Sequence, residues 1–222
     1  MVGGWENKMK KCPEGLTLKE KKKLIRIAWK QVEGFIRDWQ KSPHEWYNER
    51  DIQVEIAGRI KKIYKRHHWD KIWGKYTKYV AKRYSGKVQF YSRVGCEPPV
   101  YHRLKNGKWE AYKPDIVIWG DIENPDHPFE GQYEEKKNDQ MLWVCEIKYM
   151  PAWRKPHNPK NEDNRDIQKL KHLLNQDDGT KYACWLNIAY RIDQPCKNKF
   201  DNKPHIEGRL RKYYVTLCNV PH

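Results

Sequence analysis

The chain has no hydrophobic run approaching the roughly 20 residues that a membrane-spanning helix needs. Its six cysteines include no C-x-x-C pair and no zinc-finger spacing, and no secretory leader precedes them. A glycine-rich phosphate loop of the nucleotide-hydrolase type is also missing. These absences argue against a membrane protein, a cysteine-rich zinc module and a P-loop enzyme. They predict an intracellular, cytoplasmic protein that is not secreted and keeps its thiols reduced.

Acidic residues are in short supply. Lys and Arg number 45 against 29 Asp and Glu, which gives a formal net charge of +16, more than solubility alone requires. Eleven Trp and fourteen Tyr are interleaved with the basic residues, a mixture suited to phosphate contacts and stacking. The expected partner is therefore nucleic acid and not a membrane, although most of the aromatic side chains individually are expected to fill the core.

The order of periodic segments predicts the fold class. Thr17 and Glu20 form a capping box for a helix ending near Gln40, and Asn48 caps a second helix with Ile52, Ile56, Ile60 and Ile63 on one face. A third helix, capped by Asp163 or Asn164, buries Ile167, Leu170, Leu173 and Leu174. We expect an α/β (α+β) fold in which α-helices flank a mixed central β-sheet of about four to five strands. Residues 1–45 would be an N-terminal helical extension packed on a core of residues 46–222.

Alternating or apolar runs predict strands at 87–94, 112–119, 141–149, 182–191 and 211–220. In the third of these, the period of two places Leu142, Val144, Glu146 and Lys148 on one face. Residues 120–140 and 194–208 are expected to be loops. The basic aromatic segment 69–84 has no clear period, and a helix is one interpretation of it.

Two of these strands carry acidic residues in an apolar context. Asp115 follows Pro114 at the start of one strand, and Glu146, Ile147 and Lys148 end another. If the strands are neighbours, Asp115, Glu146 and the backbone carbonyl of Ile147 present the oxygen ligands that Mg²⁺ prefers, with Mn²⁺ as a substitute. Lys148 would orient the attacking water or stabilise the charged transition state. The pattern predicts hydrolysis of a phosphodiester by direct attack of a metal-activated water.

The second helix offers a further carboxylate. Glu49 lies on the apolar stripe, three residues before Ile52, where a charged group needs a reason. It is a candidate catalytic residue and metal ligand, with Glu55 at the border of the stripe as a reserve. The alternative is that Glu49 is a first-turn acid stabilised by the helix dipole and Glu55 a solvated one.

The motif itself is short, and Glu/Asp-x-Lys occurs at five other places in the chain. None of those lies in an apolar strand, whereas Asp115 and Glu146 both do. The non-catalytic alternative is that Asp115 is an acid at the start of a strand and that Glu146 and Lys148 form a solvated ion pair.

Pro114-Asp115 and Glu146-Ile147-Lys148, preceded by a helix bearing Glu49, resemble the PD-(D/E)XK nuclease superfamily, which includes restriction-endonuclease-like and Holliday-junction-resolvase-like enzymes. The resemblance spans roughly residues 48–190 and implies a restriction-endonuclease-like core with a metal-dependent site at the opened edge of its sheet. Asp115 and Glu146 are 31 positions apart, longer than a tight hairpin needs. In the third helix, Asp166, Gln168, Lys169 and His172 resemble accessory positions of this superfamily. We select Gln168 and Lys169 as the candidate accessory residues.

The expected function is that of a Mg²⁺-dependent DNA endonuclease, with a homodimer as one option because two strands need two sites. The basic segments 61–84 and 151–160 would hold the nucleic-acid backbone. Two alternatives stay open: a non-catalytic basic nucleic-acid-binding module, and the same chemistry directed at RNA.

Overall fold

The structure, a computed structural model, describes nine stretches of the chain. They are residues 16–46, 48–75, 88–98, 100–103, 109–120, 141–150, 159–175, 180–191 and 204–218. The predicted loop at 120–140 and the basic segment at 151–160 therefore lie almost wholly outside the described residues.

Helix α1 spans Leu18–Lys41 and begins at the predicted capping box. The Thr17 hydroxyl accepts a hydrogen bond from the Glu20 N–H, and the Glu20 carboxylate accepts one from the Thr17 N–H. These bonds satisfy two of the amide groups that a helix leaves unpaired at its start. The predicted apolar stripe is confirmed as buried: Leu24, Ala28, Val32, Phe35, Ile36 and Trp39.

Helix α2 spans Glu49–Arg66, and the predicted cap is confirmed because the Asn48 side chain accepts from the Asp51 N–H at 2.9 Å. Ile52, Ile56 and Ile60 are buried as predicted. Ile63 is only half-buried, and Tyr64 fills the last turn of the buried face instead. The Tyr64 hydroxyl donates to the Leu24 carbonyl at 2.8 Å, which fastens α2 to α1. Among the described residues, no helix is long and apolar enough to cross a membrane.

The described residues form ten strands and a third helix. In chain order these are β1 (Lys71–Lys75), β2 (Val88–Ser92), β3 (Val94–Cys96), β4 (Val100–Arg103), β5 (Trp109–Tyr112), β6 (Ile116–Trp119), β7 (Met141–Met150), α3 (Pro159–Asn175), β8 (Tyr182–Arg191), β9 (His205–Glu207) and β10 (Leu210–Cys218). The main sheet has the order β3-β6-β7-β8-β10-β9. Within the described chain it thus has six strands, not the predicted four to five.

The main sheet is mixed. Strand β6 runs antiparallel to β3 and β7, while β7, β8 and β10 run parallel, with α3 in the crossover from β7 to β8. Side chains of α1 and α2 form one buried cluster with β7 residues Trp143, Cys145 and Ile147, and α3 forms a second cluster with Val144. Because adjacent residues of a strand face opposite sides, helices cover both faces of this sheet. The predicted class, a mixed sheet flanked by helices, is confirmed.

Helix α1 shares its core with the rest of the fold. Trp29 packs edge-on against Trp143 of β7 at 5.5 Å between ring centroids and contacts Tyr213 of β10 at 6.4 Å. The described part of the predicted N-terminal extension therefore has no core of its own, and the boundary at residue 45 stays a prediction.

The predicted strand at 87–94 is wrong as a single element. It divides at Arg93 into β2, which pairs with β1 outside the main sheet, and β3, which pairs with β6. Arg93 is buried, and its guanidinium donates to the carbonyls of Trp69 at 2.7 Å, Trp119 at 3.1 Å and Gly120 at 2.6 Å. The break places these donors where two sheets meet.

Five other predictions are corrected. The predicted strand at 112–119 is interrupted at 113–115, so that β5 pairs with β4 and β6 joins the main sheet. The helical interpretation of 69–84 is wrong for β1, and β9 lies in a predicted loop. Helix α3 begins at Pro159, before the predicted caps. Leu142 packs in the α1–α2 cluster and not beside Val144, because a β-bulge at Ile118/Trp119 shifts the register.

Candidate active site

Strands β6 and β7 bring the two predicted carboxylates together. Their antiparallel register pairs Ile116 with Cys145, so Asp115, just before β6, lies beside Glu146, just after Cys145. The Asp115 Oδ2 atom accepts a hydrogen bond of 2.6 Å from the Ile147 N–H. The 31 positions that separate the two acids in sequence therefore do not disturb their register.

Lys148 lies among three carboxylates. Its Nζ atom is 3.2 Å from Glu146 Oε1, 3.2 Å from Asp166 Oδ2 and 3.9 Å from Glu49 Oε1. These acids come from β7, α3 and the first turn of α2, so elements from both faces of the sheet meet at this point. Glu49, Glu146 and Lys148 thus converge, with Asp115 adjacent.

Glu55 lies elsewhere. Its Oε1 atom accepts from Arg59 Nε at 2.6 Å, and Arg59 also donates to Asp38 of α1 at 2.6 Å. This network joins α2 to α1. Of the two acids considered on α2, the structure places Glu49 at Lys148 and gives Glu55 a partner between the helices.

The two chosen accessory residues of α3 have different surroundings. Lys169 Nζ bonds Asp166 Oδ1 at 3.0 Å and lies 5.0 Å from the centroid of the Tyr112 ring. Gln168 is exposed to solvent. Asp166, which resembles an accessory position but is not among the chosen candidates, contacts both lysines. Its signal is helical spacing, because Asp166 shares a stripe with Lys169, Leu170 and Leu173.

Two further residues of the site carry no recognised motif. The Tyr112 hydroxyl donates to Glu146 Oε2 at 2.6 Å, and the Gln53 amide donates to the Asp115 carbonyl at 2.5 Å. Gln53 is buried, and it follows Glu49 by one helical turn, so the position of a polar residue on the buried stripe is a usable signal. Tyr112 can be assigned to the site only when the structure shows that β5 ends there.

Burial and mutual repulsion govern the ionisation of the acids. Burial first, and then the charge of Glu146, raises the pKa of Asp115 from 3.8 to about 8, against the opposing hydrogen bond from Ile147. Burial also raises the pKa of Glu146, although Tyr112 and Lys148 oppose the change. Burial lowers the pKa of Lys148, but Glu146, Glu49 and Asp166 outweigh it and raise that pKa overall.

The site carries an excess of acid. Asp115, Glu146, Glu49 and Asp166 face the ammonium groups of Lys148 and Lys169, which leaves a formal excess of two negative charges when all are ionised. A divalent cation would balance this charge. Within the described ranges, however, no three His, Cys, Asp or Glu side chains already form a metal-binding group. Both Glu146 oxygens accept hydrogen bonds instead, one from Tyr112 and one from Lys148.

Comparisons with protein-family models, with curated proteins and with solved structures found no match for this chain.

Proposed function

We propose that the chain is a divalent-metal-dependent nuclease that hydrolyses phosphodiester bonds of DNA. The observation that carries the proposal is the contact of Lys148 with Glu49, Glu146 and Asp166, with Asp115 fixed beside them. A lysine beside clustered, buried carboxylates is an arrangement suited to phosphate chemistry.

The donor set fits magnesium in kind, since Asp115, Glu146 and the Ile147 carbonyl all offer hard oxygen ligands. Asp115 and Glu146 also have raised pKa values because they are buried together, a condition that a divalent cation relieves. Bound Mg²⁺, or Mn²⁺ in its place, supplies Lewis-acid polarisation of the phosphate and lowers the pKa of water. Glu49 is the additional carboxylate on the side of α2.

The protein's own groups have separable tasks. The Lys148 ammonium stabilises negative charge developing on the phosphate and holds the attacking water by a hydrogen bond. The Ile147 N–H fixes the Asp115 carboxylate, and the Tyr112 hydroxyl fixes Glu146. From α3, Asp166 binds the ammonium of Lys148, and Lys169 binds the other oxygen of Asp166. Preorganisation of this kind lowers the reorganisation needed during reaction.

The topology supports placing the chain in the PD-(D/E)XK superfamily. The resemblance implies the motif on neighbouring strands between helices, and here β6 and β7 are paired, with α2 and α3 on opposite faces. A restriction-endonuclease-like core is therefore part of the proposal. The family resemblance favours DNA over RNA, and a homodimer and a cytoplasmic location stay predictions.

A second candidate is the non-catalytic nucleic-acid-binding module. It is favoured by the hydrogen bonds that already engage both Glu146 oxygens, and by the lack of a preformed metal-binding group among the described side chains. In that case Lys148 and its carboxylates would be a structural ion cluster, and the +16 charge would carry the function.

Nicking of supercoiled plasmid separates the two candidates. The wild-type protein should nick DNA with Mg²⁺ or Mn²⁺ and stop in chelator, and Glu146→Gln should be at least about 100-fold slower. Glu45→Gln, at an exposed position in the 3₁₀ turn Pro43–Glu45, is the matched control and should cut normally. Binding without metal-dependent nicking by the wild-type protein would favour the binding module. Faster cutting of a matched RNA would redirect the proposal to RNA.

A further inference from the structure

The outer face of α1 carries a row of basic side chains that takes no part in the site described above. Every exposed residue of this helix after Leu18 is a lysine or an arginine. The row, named here the α1 basic stripe, consists of Lys19, Lys22, Lys23, Arg26, Lys30, Arg37 and Lys41.

The spacing makes the stripe continuous along one side of the helix. Apart from the adjacent Lys22 and Lys23, successive members are three, four or seven residues apart, which places them opposite the buried face that includes Ala28 and Phe35. At 1.5 Å per residue the stripe from Lys19 to Lys41 is about 33 Å long. The main gap, between Lys30 and Arg37, contains Glu33 and Gly34, and the guanidinium groups of Arg37 and Arg59 lie 3.8 and 3.9 Å from the position that a Cβ atom at Gly34 would take.

The acidic residues of α1 are paired with groups outside this stripe. Glu20 closes the capping box with Thr17, Glu33 is 3.6 Å from Arg211 and accepts from Tyr213, and Asp38 accepts from Arg59. In the part of the chain that the structure describes, no member of the stripe forms a salt bridge, while Lys23 lies over the Trp69 ring at 4.9 Å. The stripe therefore presents nearly unopposed positive charge to solvent.

We propose that the α1 basic stripe binds the phosphate backbone of double-stranded nucleic acid, as a surface separate from the Lys148 site. A duplex carries about one negative charge per 1.7 Å, so a rigid row of about 33 Å faces about one helical turn of phosphates. Charge complementarity thus selects the partner. The inference rests on the proposed function in one respect: that function identifies nucleic acid, among the possible polyanions, as the partner.

A membrane surface fits this helix less well. An interfacial amphipathic helix binds lipid by burying its apolar face in the headgroup region. The apolar face of α1 is already packed in the core, with Leu24, Ala28 and Val32 fully buried. Only electrostatic attraction to anionic lipid would remain, without the apolar contribution.

The test compares two fourfold variants of the full chain with equal loss of charge. The first replaces Lys19, Lys22, Arg26 and Lys30 of the stripe by Gln. The matched control also removes four positive charges, by replacing Lys136, Lys137, Lys197 and Lys199 by Gln; these lysines lie outside the stripe and outside the segments 61–84 and 151–160 that are expected to hold the backbone. A charge-conserving variant with Lys19, Lys22 and Lys30 changed to Arg keeps the stripe, and circular dichroism melting checks the fold of all three.

Affinity for a labelled DNA duplex of about 30 bp, three helical turns, is measured in chelator over a range of salt concentrations. The stripe variant should lose at least about tenfold in affinity, and the slope of log Kobs against log salt should fall by about 2 to 4, since each lost phosphate contact removes about 0.9. The control should change less than half as much, and the arginine variant should bind like wild type.

Three results would overturn the inference. The first is a folded stripe variant whose salt slope for DNA binding is unchanged, and the second is an equal loss of DNA affinity in the control. The third is a stripe variant that binds DNA normally but no longer binds phosphatidylserine vesicles. The second would show an effect of net charge, and the third a lipid partner. Because binding is measured without metal, a failure to cut DNA would contradict the proposed function without touching this result.

Discussion

Replacing Asp115 by Asn should make the metal-free protein more stable at alkaline pH while abolishing nicking. Its carboxyl has a pKa raised from 3.8 to about 8 by burial and by Glu146. A carboxyl with a higher pKa in the folded state holds its proton more tightly when folded, so wild-type stability falls as pH rises from about 4 to about 8. Asn cannot ionise, and it keeps an oxygen that can accept from the Ile147 N–H.

The size of the effect follows from this difference in pKa. At about 1.4 kcal/mol per pH unit, the difference sets a ceiling of about 6 kcal/mol. Glu146 shares the repulsion and the site relaxes on ionisation, so we expect about 2–3 kcal/mol at pH 9. For a chain of this length that corresponds to a rise of about 5–10 °C in Tm. Near pH 4 the wild-type carboxyl is already protonated, and the two proteins should agree within about 0.5 kcal/mol.

Urea unfolding in chelator, followed by fluorescence of the buried tryptophans Trp39, Trp143 and Trp185, measures this difference at each pH. Asp38→Asn is the control of opposite sign, because it removes the negative charge that pairs with Arg59 and should destabilise the protein by about 0.5 kcal/mol. If Asp115→Asn is less stable than wild type at pH 9, or differs from it equally at all pH values, the reasoning about the buried acids is refuted.

Three further predictions concern the same fold. Tyr112→Phe removes the donor to Glu146 and should lower the nicking rate about tenfold and the free energy of unfolding by about 2 kcal/mol; a nicking rate equal to that of the wild type would contradict this role. Arg93→Met removes hydrogen bonds to four carbonyls, two of them buried, and should cost about 3 kcal/mol or more in urea unfolding; a loss below 1 kcal/mol would contradict this role. Mg²⁺ at ten times its Kd should stabilise the wild-type protein by about 1.4 kcal/mol in thermal melts at pH 8. It should not stabilise the Asp115→Asn variant. Equal stabilisation of both proteins would show that the ion binds elsewhere.

The helices were the most predictable part of the fold. Leu24, Ala28 and Val32 repeat with the period of a helix over many turns, and the capping box at Thr17 marks the start locally. Such signals depend only on neighbours in sequence. The early start of α3 shows their limit, since a proline at the first helical position competes with the later cap candidates.

Strand boundaries were less predictable because pairing is not local. The predicted strand at 87–94 alternates through Arg93 like a single strand, yet β2 and β3 pair with different strands, and the carbonyls around the Arg93 guanidinium explain the break. Likewise, nothing near Tyr112 in sequence indicates that β5 pairs with β4. The number of strands in the sheet was underestimated for the same reason.

The candidate site was predictable where residue type and strand context coincided. Asp115, Glu146 and Lys148 lie in or beside apolar strands, and the helical wheel singled out Glu49, all of which the structure brings close together. Asp166 and Tyr112 reach the site only through the crossover of α3 and the end of β5. The stripe shared with Lys169 marks the face of α3 that bears Asp166, but the contacts of Asp166 with Lys148 and of Tyr112 with Glu146 depend on tertiary packing that a single sequence does not express.

The most direct test of the central claim is the single-turnover cleavage rate of a bound DNA duplex by Lys148→Met in Mg²⁺. Met keeps the apolar stem of the side chain but removes the ammonium that lies among Glu49, Glu146 and Asp166. We predict a rate at least about 100-fold below wild type, with Kd changed by less than about threefold, because phosphate contacts elsewhere carry the affinity. Cleavage by the variant at the wild-type rate would contradict the account, as would a wild-type protein that binds the duplex and leaves it uncut with Mg²⁺ and with Mn²⁺.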